Sequence, residues 1–205
     1  MKILLTGVNG QIGFYLNQKL SPFYEVFGVT HENFDLTNIA QMENVIDEFK
    51  PELIINPAAY TSVDKAESEL DLVFKTNTAA AKFLAEASKK LGIPLIQLST
   101  DYVFDGSKKG AYTETDKANP QTVYGKSKYK AENSIQESNS KHIILRTSWV
   151  YSLRGKNFLT TILGMAKNKE SFDIIFDQIG SPTSAIFIAN TILEITKKIE
   201  QIEKN

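Results

Sequence analysis

A chain of 205 residues is long enough to bury one core without disulfide or metal staples, and its lack of cysteine excludes disulfides, Cys-ligated zinc, iron–sulfur clusters and thiol nucleophiles. With 23 basic and 24 acidic residues the net charge is −1, so no global field draws the chain to nucleic acid or anionic lipid. No window supplies the roughly 20 apolar residues of a membrane span, and the first apolar run is too short for a signal-peptide core, so the expectation is a soluble, cytoplasmic protein.

Lys2–Thr6 (KILLT) reads as a buried strand, and Gln11–Leu20 as a helix with Ile12, Leu16 and Leu20 on one face. Tyr24–Val29 is a second strand, Asn38–Phe49 an amphipathic helix, and Glu52–Asn56 a third strand. Leu70–Leu91 is a long Ala-rich helical stretch that Gly92 caps and Pro94 forbids from continuing. Pro94–Leu98 is a fourth strand, and residues 101–122, rich in Gly, Pro, Ser and charge, form a loop. Val123–Glu137 is a helix, His142–Arg146 a fifth strand and Asn157–Lys167 another helix. Ser171–Phe176 reads as a further strand and Ser184–Ile199 as the last helix. Strict alternation of apolar strands with helices predicts an α/β fold, a doubly wound parallel sheet with helices on both faces. Ligands of such sheets bind beyond the carboxyl ends of the strands.

The first strand ends in Thr6-Gly7-Val8-Asn9-Gly10-Gln11-Ile12-Gly13, a GxxGxxG spacing. Glycine tolerates the tight turn and lets a pyrophosphate approach the backbone, and the helix start offers free N–H groups and a positive dipole end. The same residues also suit a plain strand–helix turn; the position at the first βα junction favours a dinucleotide. Glu32 or His31 lies near the end of the second strand, where the adenosine ribose or a 2′-phosphate would sit, and Asp35-Leu36 could border the adenine.

Tyr124 and Lys128, spaced i and i+4, share one helix face. An ammonium so placed is expected to lower the phenol pKa toward neutrality and make Tyr124 a usable proton donor. YxxxK also occurs by chance, with the tyrosine merely packed on the sheet. Hydroxyls of Ser99 and Thr100, at the carboxyl end of the fourth strand, add a group able to polarise a carbonyl.

Together these motifs resemble the extended short-chain dehydrogenase/reductases and, within them, the dTDP-4-dehydrorhamnose reductase family. The matching segments are TGVNGQIG at 6–13, NPAAYTSVDKAE at 56–67, STDYVFDG at 99–106, YGKSK at 124–128, RTSWVY at 146–151 and DQIGSPT at 177–183. The resemblance implies a catalytic triad of Thr100, Tyr124 and Lys128. It implies cofactor contacts from Gly7, Asn9, Gly10, Gln11, Ile12, Gly13, Asp35, Leu36, Ala58, Ala59, Tyr60 and Asn77, with Tyr124 and Lys128. Asp101, Tyr102, Trp149 and Asn157 would line the sugar and nucleotide pocket. The implied reaction is reduction of a dTDP-linked 4-keto-6-deoxy sugar by NADPH or NADH, for cell-surface polysaccharide, without a metal ligand cluster. Trp149 serves equally as a core-filling indole. Asp64, Lys65 and Glu67 also read as a solvated helix start, and Asp105 as a turn residue.

Family members continue for several dozen residues past the DQIGSPT segment, and they usually carry glycine where Ser152 follows Tyr151. The expected division is therefore a dinucleotide-binding domain over 1–150 and a partial substrate lobe over 151–205; a truncated gene, a homodimer or partner chain supplying the rest, and a shortened protein without the original activity all fit. Two other functions share these motifs: a nucleotide-sugar epimerase or dehydratase, and a non-catalytic cofactor-binding regulatory subunit.

Overall fold

The computed structural model describes residues 1–203. Its centre is a five-stranded, all-parallel sheet of β1 (Lys2–Leu5), β2 (Glu25–Gly28), β3 (Leu53–Asn56), β4 (Leu95–Thr100) and β5 (His142–Thr147), in the order β2-β1-β3-β4-β5. Alternate side chains point to opposite faces and build two cores. Ile3, Leu5, Ile55, Ile96 and Leu98 pack under α1 (Gln11–Leu20) and α8 (Ala185–Glu203), against Leu16, Leu20, Ile188 and Ile192. Leu4, Ile54 and Leu95 face the other way, onto α2 (Ile39–Phe49), α5 (Ala80–Leu91) and α6 (Val123–Ser138). β3 and β4 are buried along their whole length, so apolar residues fill consecutive positions (Leu53, Ile54, Ile55; Leu95, Ile96) instead of alternating, and Gln97, Ser99 and Thr100 are buried polar groups. Each buried Leu or Ile contributes about 1.5–3 kcal/mol. This is the expected Rossmann-type fold.

From β1 the chain moves outward to β2, then crosses to β3 on the other side. The strand order therefore reverses between β1 and β3, and a crevice opens beyond their carboxyl ends.

The helical stretch after β3 is more broken than its sequence suggests. Val63–Ala66 forms a short α3, and Leu70–Phe74 (α4) passes through a π-helical turn, Lys75–Ala79, into α5. Gly92 closes α5 at φ 72°, as expected. Asp101–Val103 adds one 3₁₀ turn to the loop after β4.

One predicted element is absent: Ser171–Phe176 is not a strand. Its apolar run pairs with no neighbour, and Phe176 is 97% exposed. An apolar run becomes a strand only where a second strand takes its backbone groups, and hydrophobicity alone does not reveal that partner. Two very short strands instead pair in parallel, β6 (Val150–Tyr151) with β7 (Thr183–Ser184). Between them lies α7 (Phe158–Asn168). Among the described residues no helix is long and apolar enough to cross a membrane.

Candidate active site

At the crevice, Gly7 adopts φ 59°, and a β-carbon there would stand 2.9 Å from that of Ala58. The turn after β1 thus nests directly on the segment after β3. Gly10 is the N-cap of α1 with no side chain to satisfy the first turn, so the helix presents its N–H groups and positive end. Gly13 is buried where a β-carbon would lie 2.1 Å from the Gly7 carbonyl oxygen. An uncapped helix start beside a turn bounded by Gly7 and Gly10 fits a pyrophosphate. Asn9 is exposed, and Ile12 is half-buried against the core.

Asp35 and Leu36 sit in the turn before α2. The Asp35 carboxylate accepts from the Thr37 N–H (2.8 Å) and hydroxyl (2.9 Å), which holds its pKa below the usual range. Leu36 packs against the second core.

The segments after β1, β3 and β4 are joined by a buried amide ladder that the motifs did not announce. Thr6 Oγ1 donates to Asn56 Oδ1 (2.6 Å), and Asn56 Nδ2 to Gln97 Oε1 (2.8 Å). Gln97 Nε2 donates to the Leu98 carbonyl (2.8 Å), which also accepts from Lys128 Nζ (2.7 Å). At one end of the ladder the Ala58 N–H donates to Thr6 Oγ1 (3.3 Å). Ala59 and Tyr60 follow. Asn77, carried on the π turn and 3% exposed, accepts from the Tyr60 N–H and donates to the Tyr60 carbonyl and to Ser127 Oγ. It ties the segment after β3 to α6.

α6 begins at Thr122, whose hydroxyl accepts from the Gly125 N–H (3.0 Å), while Glu67 Oε1 accepts from the Val123 N–H (2.9 Å). Glu67 is therefore a second cap on the helix bearing Tyr124 and not merely a solvated charge. Gly125 was also missed: a β-carbon there would meet the Tyr102 carbonyl oxygen at 2.3 Å. A glycine just inside a helix, costing about 1 kcal/mol of propensity, was the available signal of close approach.

That approach sets the Tyr124 ring edge-on to Tyr102, with centroids 5.6 Å apart. Tyr124 stands beside Thr100, whose hydroxyl accepts from the Tyr102 N–H (3.2 Å) and donates to Asp101 Oδ1 (3.1 Å). Thr100, Asp101, Tyr102, Tyr124 and Lys128 thus gather around the carboxyl end of β4, with Lys128 anchored on the Leu98 carbonyl.

The direction of one expectation reverses. Burial, not Lys128, dominates the Tyr124 phenol and pushes its pKa up to about 12, so the group holds its proton at neutral pH. Burial likewise raises the Asp101 carboxyl. Lys128, 3% exposed, is driven down to about 8 by burial, partly offset by Glu132.

Lys128 therefore costs stability. Between about pH 8 and the ordinary lysine value the unfolded chain binds a proton that the folded chain lacks, so folding strengthens as pH rises through that window. Below pH 8 both states are protonated and the full cost applies. Lys128→Met is expected to melt above the wild type at pH 7, with the gap closing toward pH 10. A variant that melts lower at pH 7 would contradict this.

Trp149 and Asn157 belong to a second cluster. Trp149 is held at φ 46° and is 38% exposed, its indole against Phe158 and over Gly180, where a β-carbon would come within 2.5 Å of the ring. Asn157 caps α7 in a capping box with Thr160, and its Nδ2 donates to Gln11 Oε1 (2.9 Å). Ser152 Oγ donates to the same oxygen (2.9 Å). The segment after β6 is in this way fastened to the phosphate turn. Asp105 is the hub of its loop, accepting from Ser107, Tyr112 and Asn119. Among the described residues, no group of three or more His, Cys, Asp or Glu could hold a metal.

Residues 1–205 match the family described as RmlD substrate binding domain. The chain is 43% identical over 200 residues to a dTDP-4-dehydrorhamnose reductase of Aggregatibacter actinomycetemcomitans, covering 97% of this chain and 68% of that protein. It is 42% identical to one of Sinorhizobium fredii, covering 97% of this chain and 67% of that protein. The crystal structure of a dTDP-4-dehydrorhamnose reductase from Clostridium acetobutylicum superposes with TM-score 0.93 at 39% identity, covering 98% of this chain and 71% of that one. A Bacillus anthracis dTDP-4-dehydrorhamnose reductase in complex with NADP gives TM-score 0.93 at 38% identity, over 97% of this chain and 71% of that one. The chain thus spans about two thirds of the length of the curated relatives.

Proposed function

The chain belongs to the dTDP-4-dehydrorhamnose reductase family, and from that premise we propose that it reduces the C4 keto group of dTDP-4-dehydro-L-rhamnose, giving dTDP-L-rhamnose for cell-surface polysaccharide. The observation that carries this reading is that Thr100, at the end of β4, and Tyr124 and the buried Lys128, on one face of α6, gather beside an uncapped glycine turn.

NADPH or NADH, when bound, supplies the hydride. Gly7, Asn9, Gly10, Gln11, Ile12 and Gly13 would hold its pyrophosphate at the start of α1, Asp35 and Leu36 would border its adenosine, and Ala58, Ala59 and Tyr60 would flank it from β3. Thr100 donates a hydrogen bond to the C4 oxygen. Tyr124 gives its phenolic proton to that oxygen as C4 is reduced, so that the carbonyl becomes a secondary alcohol and the tyrosine a phenolate, reprotonated from solvent. The Lys128 ammonium holds ribose hydroxyls and stabilises that phenolate. Asp101, Tyr102 and Trp149 line the sugar side and Asn157 the nucleotide side.

The experiment is consumption of NADPH, then NADH, on addition of dTDP-4-dehydro-L-rhamnose. Substrate-dependent, stoichiometric oxidation is the expected result. Cofactor that binds without being consumed would overturn the reading. Asp101 keeps a second reading open, since a carboxyl raised by burial beside Thr100 suits the acid–base work of a dehydratase or epimerase. Such an enzyme would transform its nucleotide sugar with no net cofactor turnover.

A further inference from the structure

Lys128 sits midway along a row of three side chains, Tyr124, Lys128 and Glu132, each one helical turn from the next on one face of α6. Glu132 is 1% exposed. Arg146, on β5, grips its carboxylate with two hydrogen bonds, Nε to Oε1 at 2.9 Å and Nη2 to Oε2 at 2.6 Å. The guanidinium lies 5.0 Å over the Phe104 ring, which stacks on Tyr112 at 4.2 Å. The carboxylate is thereby fixed in place from the far side.

We propose that Glu132, gripped by Arg146, is a positioning residue for Lys128: it supplies the buried negative charge that keeps the ammonium charged where the Leu98 carbonyl seats it, one turn along α6 from Tyr124. Stability alone does not account for the pair. A buried ion pair barely repays its desolvation, and apolar residues of similar volume serve a core as well or better. What such a pair does provide is a field, because a charge one turn away acts strongly where water is excluded.

The other charged or titratable groups around Lys128 act elsewhere. Asp101, after β4, bears on Tyr124 and Tyr102, and Asp64 of α3 bears on Tyr102. Glu67 is spent on the cap of α6. Arg146 reaches the row through Glu132, and Asn77 and Thr78 on the π turn carry no charge. Burial drives the Lys128 proton off, and Glu132 is the charge that opposes it. A neutral amine would no longer stabilise the phenolate that Tyr124 leaves behind.

The consequence for turnover rests on the reductase reading, while the charge of Lys128 can be read without it. Lysine side chains are labelled and titrated by carbon NMR, with the Lys128 signal identified by its loss in Lys128→Met. Two variants are compared. Glu132→Gln keeps an acceptor for Arg146, and the double variant Glu132→Gln, Arg146→Met removes the guanidinium together with its carboxylate, so Arg146 is not left without its partner and a second route to a folded protein is open. The Lys128 midpoint is expected to fall by about one pH unit, a tenfold loss of proton affinity. The alkaline limb of the turnover profile should move toward neutrality by the same amount. An unchanged midpoint in a folded variant overturns the inference. A falling midpoint in a protein that turns over no substrate supports it and counts against the reductase reading instead.

Discussion

Tyr124→Phe is expected to cut turnover by about 10²-fold or more while leaving cofactor affinity within about twofold. The substitution removes one oxygen and keeps the ring. The edge-to-face packing on Tyr102 and the close seat of Gly125 on the Tyr102 carbonyl depend on the ring and the backbone, so both persist. On the proposed reading, cofactor binding rests mainly on backbone and side chains of other segments, from the glycine turn to the residues after β3. What disappears is the acid that the C4 oxygen needs as it gains charge. Thr100 remains to bond that oxygen, but its hydroxyl is far too weak an acid to protonate it at a comparable rate. Steady-state NADPH oxidation together with a fluorescence titration of cofactor separates the two effects. Equal turnover in the two proteins would remove Tyr124 from the mechanism, and a matching loss of affinity would recast it as a binding residue.

Gly13→Ala is expected to destabilise the fold by about 3 kcal/mol or more and to abolish measurable cofactor binding. Two effects oppose one another here. Alanine is the better helix former by about 1 kcal/mol. Yet its β-carbon would stand 2.1 Å from the Gly7 carbonyl oxygen and 2.7 Å from the Gly7 carbonyl carbon. Both are backbone atoms, so no side-chain rotation relieves the overlap; α1 must move off the turn that shapes the phosphate site. Gly164→Ala, inside α7 with nothing within 4 Å of the added carbon, isolates the propensity term and should gain about 1 kcal/mol. Urea denaturation of both variants checks the signs. A Gly13→Ala protein as stable as the wild type would mean that the turn has another conformation open to it.

The parts of this molecule that were legible in its sequence are those whose physics is local. A glycine turn, a helix cap and a tyrosine four residues before a lysine each declare themselves within one or two turns of chain. Gly92 and Pro94 ended a helix where expected because capping is decided by neighbours. The electrostatic partners of the site were hidden because they come from distant segments. Thr6 and Asn56 lie 50 positions apart, Asn56 and Gln97 41 apart, and Arg146 meets Glu132 across 14. Nothing in the composition of either member marks such a pair. The same non-locality misled the reading of Ser171–Phe176, whose residues suit a strand but find no neighbour to complete one. It also reversed the sign expected for Tyr124: spacing shows a lysine one turn away, whereas the depth of burial that raises the phenol exists only once the sheet and α6 have closed together.

The amide ladder of Thr6, Asn56 and Gln97 makes the sheet itself a measuring rod. Its rungs run across β1, β3 and β4, and neighbouring strands keep a spacing of about 4.8 Å fixed by their backbone hydrogen bonds. From the phosphate turn to the carbonyl that anchors Lys128 is two such spacings, roughly 10 Å. The separation between the glycine turn and the seat of Lys128 is thus counted in whole strands, and a strand count has no intermediate values. A loop beyond the strand ends can change length or composition without altering that calibration, because the spacing is held by the sheet.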